Sequence, residues 1–295
     1  MRQIIEMIRS LRSADAPANF KARLRDLGYI SCTNTVDIKH VPFYEPCAIM
    51  VLSGTKTIYD HGRPVTAGAG SVLTVPAPGS YDLRNAPDPK ARKYEALIVP
   101  FTTRLLDQLI RSHGFLHEVR QGDVAVIKFE PDDTLHRSIA HYLTTVGDVK
   151  LLNHRLMEIL LILASRNPRL LSYAPHEPGW SERVRAVLSG DLAHPWEISE
   201  VCKRLAVSES TLRRKLRAEA TSFRVVLHEL RLSAALVQLL QTTLPIYRIA
   251  FDCGYQSVSR FTKNFRERFG LPPRRFREDV DESERNLTVS GQRAN

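Results

Sequence analysis

The spacing of apolar residues changes along this chain, and the change predicts two kinds of structure. Residues 30–100 hold short apolar runs with β-branched residues, such as 48–52, 55–59 and 71–75, and turns with Gly or Pro separate them. Closely spaced short strands with such turns are typical of a small β-barrel or a jelly roll. We therefore expect a β-rich domain over this stretch.

Apolar residues then recur every three or four positions, which is the period of an amphipathic helix. Segments 102–113, 132–146 and 150–166 follow this pattern. The last segment carries a wide apolar stripe that consists of Leu152, Leu156, Ile159, Leu160 and Leu163. Two interpretations fit the stripe: it packs against its own domain, or it forms a dimerisation seam between two copies of the chain.

Breaks in the pattern divide the chain into domains. Asn167 and Pro168 end the third helix, and the segment that follows contains two further prolines and a glycine before residue 180, which predicts a linker. The pattern beyond it is helical until a polar tail. The sequence therefore predicts an α+β protein of two domains. The assigned ranges are a β-barrel domain with a helical connector at 20–168, a linker at 169–180, an all-α domain at 181–277 and a disordered tail at 278–295.

The all-α region contains an internal repeat. Each copy has the apolar pattern of a helix, a tight turn and a second helix, at an offset of 48 residues before the turn and 49 after it. The apolar core positions are Ile198, Val201, Cys202, Leu205, Leu212 and Leu216 in the first copy, and Ile246, Ile249, Ala250, Gly254, Phe261 and Phe265 in the second. Two helix-turn-helix patterns at a nearly constant offset are a much more specific signal than one.

Single positions in the repeat have physical roles. Ala206 and Gly254 stand in the turns, where a small residue permits a sharp change of direction. Ser208 and Ser257 precede the second helices, whose free amides a serine side chain can cap. Residues 222–241 predict a connecting helix of roughly 30 Å. Adjacent major grooves on one face of B-DNA lie about 34 Å apart, so one chain is expected to reach two grooves.

The charge of the chain predicts a polyanionic partner. The formal net charge is +10, and residues 181–280 account for +7 of it, with 18 Lys and Arg against 11 Asp and Glu. Clustered basic charge attracts phosphate backbones by releasing their counterions, and it attracts acidic membranes or proteins as well. Charge by itself therefore does not single out DNA.

The last hundred residues resemble the AraC/XylS family of bacterial transcription regulators. The resemblance rests on the two helix-turn-helix units, on Gly254-Tyr255 with Ser257, and on the run 261–265. Its most specific part is the ending Phe269-Gly-Leu-Pro-Pro-Arg-Arg-Phe276-Arg277, which is similar to the terminal pattern of the family. The chain departs from the family at Ala206, where a Gly is expected.

This resemblance implies recognition helices at 209–220 and about 258–269. The residues that it turns toward DNA are Ser210, Arg213, Arg214 and Arg217 in the first helix, and Ser259, Arg260 and Lys263 in the second. Arg pairs bidentately with guanine, whereas Lys and Ser more often contact phosphates. The expected partner is double-stranded promoter DNA.

For the rest of the chain, the resemblance implies a cupin-like barrel that senses a small molecule or mediates dimerisation. It also implies a homodimer that contacts RNA polymerase and activates transcription. The alternative is a repressor, or a DNA-binding protein controlled by a partner protein without any small-molecule effector. No residue of the first domain can be assigned to an effector from the sequence.

Enzymatic and metal chemistry have little support in the sequence. Residues 70–76 are similar to the second cupin element, yet Ser80, Tyr81 and Asp82 follow where a metal-binding cupin has His. A catalytic metal centre needs several His and a carboxylate that converge. We therefore expect no catalytic residues, no metal and no cofactor, and we do not expect an enzyme.

The cysteine spacing and the first ten residues both predict a cytoplasmic protein. Cys32, Cys47, Cys202 and Cys253 have no metal-ligand spacing and are interpreted as buried free thiols. The first ten residues mix apolar and charged side chains, unlike a secretory signal, and the apolar run 156–164 is too short to cross a bilayer. We expect a cytoplasmic protein without a membrane partner.

Overall fold

The computed structural model describes residues 4, 7, 28–113, 125–130, 132–145, 149–173, 178–242 and 244–278. The chain forms two compact units, and the second spans His176–Arg277. The predicted tail lies outside the described residues except for Glu278. None of the helices in these ranges is long and apolar enough to span a membrane.

The first unit is built on short strands, as the short apolar runs between Gly and Pro turns predict. The strands in its described part are β1 (Gly28–Cys32), β2 (Val36–Phe43), β3 (Cys47–Ser53), β4 (Thr55–Asp60), β5 (Arg63–Gly68), β6 (Val72–Val75), β7 (Gly79–Ala86), β8 (Tyr94–Pro100) and β9 (Ile127–Phe129). Gly54 and Gly62 have positive φ and form the tight turns on either side of β4.

These strands form two antiparallel sheets. One sheet has the order β1-β8-β3-β6-β9 and the other β2-β7-β4-β5. The expected cupin-like barrel is not closed, since no backbone pairing among the described strands joins one sheet to the other. The alternation of side chains along a strand indicates which of them face inward. It does not determine whether the edge strands of the two sheets pair with each other. The unit is therefore a structure of two antiparallel sheets.

Helices cover the outer face of the five-stranded sheet. They are α1 (Thr103–Ser112), α2 (Asp133–Thr144) and α3 (Val149–Arg166), followed by a 3-10 helix (Pro168–Tyr173). The apolar stripe of α3 packs into the core of its own unit, where Ile159, Leu160 and Leu163 are almost fully buried and Leu152 is half-buried. This packing agrees with one interpretation of the stripe, while a dimer seam stays a prediction.

The segment after α3 differs from the linker predicted at 169–180. Leu170, Leu171 and Tyr173 of the 3-10 helix are buried in the core of the first unit, and the Tyr173 hydroxyl donates to the Thr74 carbonyl oxygen. Pro168 does end the α-helix, but the chain then makes one more apolar turn. The first unit therefore extends to Tyr173, and the next helix already begins at Trp180.

The second unit consists of seven helices in the described residues. They are α4 (Trp180–Leu188), α5 (Ile198–Arg204), α6 (Glu209–Ala218), α7 (Phe223–Gln241), α8 (Ile246–Asp252), α9 (Val258–Phe269) and α10 (Pro273–Glu278). The predicted connecting helix at 222–241 corresponds to α7, whose first amides are capped by the Ser222 hydroxyl. All four cysteines of the chain are free and buried, which confirms that interpretation.

Candidate nucleic-acid interface

The first helix-turn-helix unit is formed by α5 and α6. Val201, Cys202, Leu212 and Leu216 are buried between them, whereas Ile198 and Leu205 are half-buried at the edge. The turn is closed by the Val207 amide, which donates to the Cys202 carbonyl oxygen at 3.0 Å.

The turn and the cap of the first helix-turn-helix unit have the roles predicted for them. Ala206 has a φ of +54°, a left-handed conformation that a residue with a Cβ adopts at a cost. Ser208 caps α6 as predicted, since its hydroxyl oxygen accepts from the Thr211 amide at 3.2 Å. The start and direction of α6 are therefore fixed locally.

The second helix-turn-helix unit, α8 and α9, repeats this arrangement. Ile249, Ala250, Phe261 and Phe265 are fully buried, and Ile246 is half-buried. The equivalent turn bond runs from the Tyr255 amide to the Ala250 carbonyl oxygen at 2.9 Å. The predicted cap is again present, because the Ser257 hydroxyl oxygen accepts from the Arg260 amide at 3.4 Å.

Gly254 meets two requirements in the second turn. Its φ is +77°, which glycine adopts without strain. A Cβ at this position would also lie 2.4 Å from the Leu192 carbonyl oxygen and 2.6 Å from the Arg231 guanidinium. Arg231 itself donates to the carbonyl oxygens of Leu192 and His194 at 3.0 and 2.8 Å. The second turn is therefore packed against the loop that precedes α5, which ties the two helix-turn-helix units together.

The terminal motif of the chain anchors α9. Gly270 ends the helix with a φ of +82°, a left-handed C-cap. Phe276 of α10 packs edge-on against Phe265 with ring centres 5.4 Å apart, and Phe269 packs against the same ring at 4.7 Å. The Arg277 guanidinium donates to the Thr242 and Leu244 carbonyl oxygens in the loop after α7. The motif thus holds α9 against α10 and the loop after α7.

The outer face of α6 carries the residues predicted to contact DNA. Ser210, Arg214 and Arg217 are exposed and lie opposite the buried pair Leu212 and Leu216, because residues three or four apart share one helix face.

Arg213 is exposed beside this face, and it forms a 3.1 Å ion pair with Glu209 one turn earlier. Arg214 and Arg217 form no ion pair with any described residue. Both guanidinium groups are therefore available to an external anion.

Lys215 lies on the other edge of α6 and has a different environment. Its ammonium is 5.9 Å from the centre of the Trp180 ring, and the Arg183 guanidinium lies 5.0 Å from that ring. Glu219, the C-cap of α6, accepts from the Trp180 and Ser181 amides at 2.6 and 2.9 Å. Burial alone would raise the pKa of Glu219, but these hydrogen bonds outweigh it and lower the pKa. The beginning of α4 is thus fastened to the end of the first predicted recognition helix.

The outer face of α9 brings together Ser259 and Lys263, with Arg260 at its edge, and all three are exposed. Arg266 is exposed on the same face one turn after Lys263, but it is not among the residues predicted from the sequence to contact DNA. Its spacing of seven residues from Ser259 would have identified it. Ser259, Lys263 and Arg266 line an open groove of about 730 Å³ along this helix.

The two basic faces are joined by α7, a helix of 19 residues. Its apolar side is buried along most of its length, at Val226, Leu232, Ala235, Leu236 and Leu239. Because α7 packs against α4, α8 and α9, the two helix-turn-helix units belong to one compact body. The second unit therefore presents two exposed basic helices on a common frame.

Comparison with known domain families divides the chain in the same way. Residues 201–279 match the family described as a helix-turn-helix domain, and residues 46–173 match the family described as the ExsA N-terminal regulatory domain. The first match covers both helix-turn-helix units from α5 onward. The second runs from the strands of the first unit through Tyr173.

Curated relatives match about a third of the chain. The HTH-type transcriptional regulator GadX of Escherichia coli K12 is 36% identical over 102 residues, which is 35% of this chain and 37% of GadX. The HTH-type transcriptional regulator YdeO of Shigella flexneri is 39% identical over 95 residues, 32% of this chain and 37% of YdeO. The matches thus span little more than a third of the length of each relative.

Solved structures extend the likeness to both units. ToxT from Vibrio cholerae has a TM-score of 0.62 at 14% identity, over 86% of this chain and 98% of that chain. ToxT with a bound unsaturated fatty acid has a TM-score of 0.58, also at 14% identity, over 84% and 92%. At this identity the likeness establishes the fold alone. Together with the two domain families and the terminal motif, these findings establish that the chain belongs to the AraC/XylS family of transcription regulators.

Proposed function

We propose that this protein is a sequence-specific regulator that binds double-stranded promoter DNA with α6 and α9 in successive major grooves. The observation that carries the proposal is the pair of exposed basic helix faces on equivalent helix-turn-helix units. On α6 the face holds Ser210, Arg214 and Arg217, and on α9 it holds Ser259, Lys263 and Arg266. Second helices of such units are the elements that enter the major groove.

The chemistry of these side chains suits both parts of DNA recognition. The guanidinium groups of Arg214 and Arg217 can pair bidentately with guanine O6 and N7 or bind phosphate oxygens. Arg213 would exchange its exposed ion pair with Glu209 for a DNA contact at small cost, because exposed pairs of this kind contribute little. Ser210, Ser259, Arg260 and Lys263 supply further donors for phosphates.

The connecting helix has a suitable length for two grooves. Nineteen residues at the rise of an α-helix extend over about 28 Å, and successive major grooves on one face are about 34 Å apart. The contacts of Arg231 with the loop before α5 hold the two helix-turn-helix units in one orientation. A rigid pair of this kind favours DNA in which both half-sites lie on the same face.

We further propose that the first unit controls this binding. Its similarity to the ExsA N-terminal regulatory domain supports a regulatory role. One form of control is a small-molecule effector, and the fatty-acid complex of the fold neighbour ToxT favours it. The other is a partner protein or self-association through the first unit, without an effector. We favour a cytoplasmic homodimeric activator that recruits RNA polymerase, with a repressor as the alternative.

The proposal is tested by fluorescence anisotropy of the full chain on DNA from upstream of its own gene and on a shuffled control, over a salt series. Arg214→Ala should weaken specific binding by about 1–3 kcal/mol if Arg214 reads a base. If Arg214 binds phosphate, the variant should bind all DNA more weakly and with a shallower salt slope, since fewer counterions are released.

Arg111→Ala provides the matched control. Arg111 is an exposed arginine of the first unit with an i,i+4 ion pair to Asp107, so its loss removes the same charge away from the proposed interface. Its DNA affinity should equal that of the unaltered chain. Equal effects of Arg214→Ala and Arg111→Ala, or none from Arg214→Ala together with Arg217→Ala, would contradict the placement of α6.

A further inference from the structure

A buried lysine lies between the two sheets of the first unit. Lys56 of β4 is 1% exposed, and its Nζ donates to Oδ1 of Asn85, its register partner on β7, at 2.8 Å. Tyr94 of β8, in the opposite sheet, is fully buried, and its ring centre lies 6.0 Å from the same Nζ. We call Lys56, Asn85 and Tyr94 the Lys56 cluster.

The ammonium of this cluster has no counter-ion among the described residues. The thiols of Cys32 and Cys47 are near enough to affect its pKa, but burial raises the pKa of Cys47 to about 12, so that thiol is neutral. Two carboxylates are buried in the described part of the chain, and each has a partner of its own. Asp60 accepts from the Val126 amide, and Glu95 accepts from the Tyr29 hydroxyl. Burial of a charge without an opposite charge is costly. A side chain that only fills space does not normally carry such a charge.

Donors also outnumber acceptors in the cluster. An ammonium has three N–H donors, and the structure pairs one of them, with Asn85. The Tyr94 hydroxyl is buried and has no hydrogen-bond partner in the part of the chain that the structure describes. Buried polar groups are nearly always paired in folded proteins. Among the described residues, the cluster therefore lacks an acceptor. An anion with two oxygens would accept from both donors and would also balance the charge of Lys56.

The surroundings limit the rest of such a ligand to an apolar group. Ile58 shares the inward face of β4 with Lys56, and its register partner Leu83 shares the inward face of β7 with Asn85. Both side chains are buried, as is Ala96 on the inward face of β8 beside Tyr94. A carboxylate on an apolar body meets both the donors and these walls.

We propose that the Lys56 cluster is a binding site for the carboxylate of a small apolar carboxylic acid, with Lys56 and Tyr94 each donating to one carboxylate oxygen. The inference deepens the regulatory role proposed for the first unit, because it assigns a site and a ligand class to that unit. It does not depend on DNA binding. Occupancy adds an acceptor to a charge that is otherwise unbalanced, so the ligand stabilises the unit that holds it.

The test uses the full chain and two matched pairs of probes, octanoate with octanamide and benzoate with benzamide. Thermal shift and titration calorimetry should detect saturable binding of at least one carboxylate and none of its amide. Lys56→Met should weaken that binding by about tenfold or more, and Tyr94→Phe by several-fold, since each removes a buried donor. Tyr94→Phe deletes a hydroxyl that has no hydrogen-bond partner among the described residues, so we expect this variant to fold like the unaltered chain.

Lys39→Met is the control, because Lys39 is an exposed lysine of β2. It should bind the carboxylate like the unaltered chain. Absence of saturable carboxylate binding, equal binding in Lys56→Met, or binding of inorganic phosphate in place of the carboxylates would overturn the inference. Anisotropy on DNA without any carboxylate is measured in parallel. Lost DNA binding with retained carboxylate binding contradicts the proposed function and leaves this site standing.

Discussion

Residues 206 and 254 occupy equivalent positions in the two helix-turn-helix turns, and the structure gives both a left-handed backbone. The second position is a glycine and the first an alanine, so the same geometry strains one turn and not the other. At Ala206 the methyl group costs stability without any evident packing gain, because the residue is exposed. At Gly254 the neighbouring Leu192 carbonyl leaves no room for a methyl group.

Ala206→Gly should therefore stabilise the second unit by up to about 1 kcal/mol, because relief of the left-handed strain exceeds the added freedom of the unfolded chain. Gly254→Ala should destabilise it by more than that, since strain and a steric clash add. Urea unfolding measures both changes. Ala234→Gly, within α7, is the control and should cost about 1 kcal/mol. Destabilisation by Ala206→Gly, to the same degree as the control, would contradict the positive φ.

The buried Lys56 should make the stability of the first unit depend on pH. Burial lowers its pKa from the ordinary value of 10.5 to about 8. Between these pH values the unfolded chain binds more protons than the folded chain, so Lys56 makes the free energy of unfolding rise with pH. Below pH 8 its full destabilising effect is present. Lys56→Met should stabilise the ligand-free first unit at pH 7 by about 3 kcal/mol.

The advantage of Lys56→Met should fall to about 1 kcal/mol at pH 10, which urea unfolding at the two pH values measures. Among the groups around Lys56, Cys47 keeps its proton over this range because burial raises its pKa to about 12, and burial raises the pKa of Tyr94 as well. Asn85 does not titrate. An advantage that is the same at both pH values would show that the penalty of Lys56 is not electrostatic.

At the scale of elements, the sequence predicts best where a local pattern decides the structure. Helices predicted at 102–113 and 150–166 are found at Thr103–Ser112 and Val149–Arg166, and the serine caps are where the repeat puts them. The 3-10 helix Pro168–Tyr173 was missed, because a proline that ends an α-helix resembles the start of a linker. Pairing of β1 with β8 joins residues far apart in sequence, and no local signal specifies it.

Long-range contacts also explain why other parts of the site were not predicted. The fastening of α4 to α6 by Glu219 joins positions 38 and 39 apart, so a helix pattern cannot reveal it. Lys56 alternates with Ile58 in β4 and so shares its inward face. The sequence of one strand does not show which of its two faces is buried, because that depends on which face the second sheet covers.

Glu219→Ala should lower the stability of the second unit by about 1 kcal/mol, since the first amides of α4 lose their acceptor. Chemical denaturation of the full chain, followed at Trp180 and Trp196, measures the change. Glu267→Ala is the control, because Glu267 is exposed and forms a single long ion pair in the described residues, at 3.9 Å from Lys263. It should change stability by less than about 0.5 kcal/mol. Equal effects would mean that the Glu219 contact does not hold α4.

At the scale of the whole molecule, the repeat, the charge excess and the terminal motif were sufficient to identify the family from the sequence. The structure adds the physical basis of that motif, since Phe276 and Arg277 secure α9 and the loop after α7. It also adds Arg266 to the predicted interface. We expect one chain to place α6 and α9 in successive major grooves of its promoter.

Hydroxyl-radical footprinting of the full chain on the upstream fragment that it prefers measures this placement, at about 0.15 M salt. We expect two protected segments on one face of the DNA, about one helical turn apart. Arg214→Ala should release protection of one segment and Lys263→Ala that of the other. A single protected segment, or loss of the same segment in both variants, would rule out binding to two successive grooves.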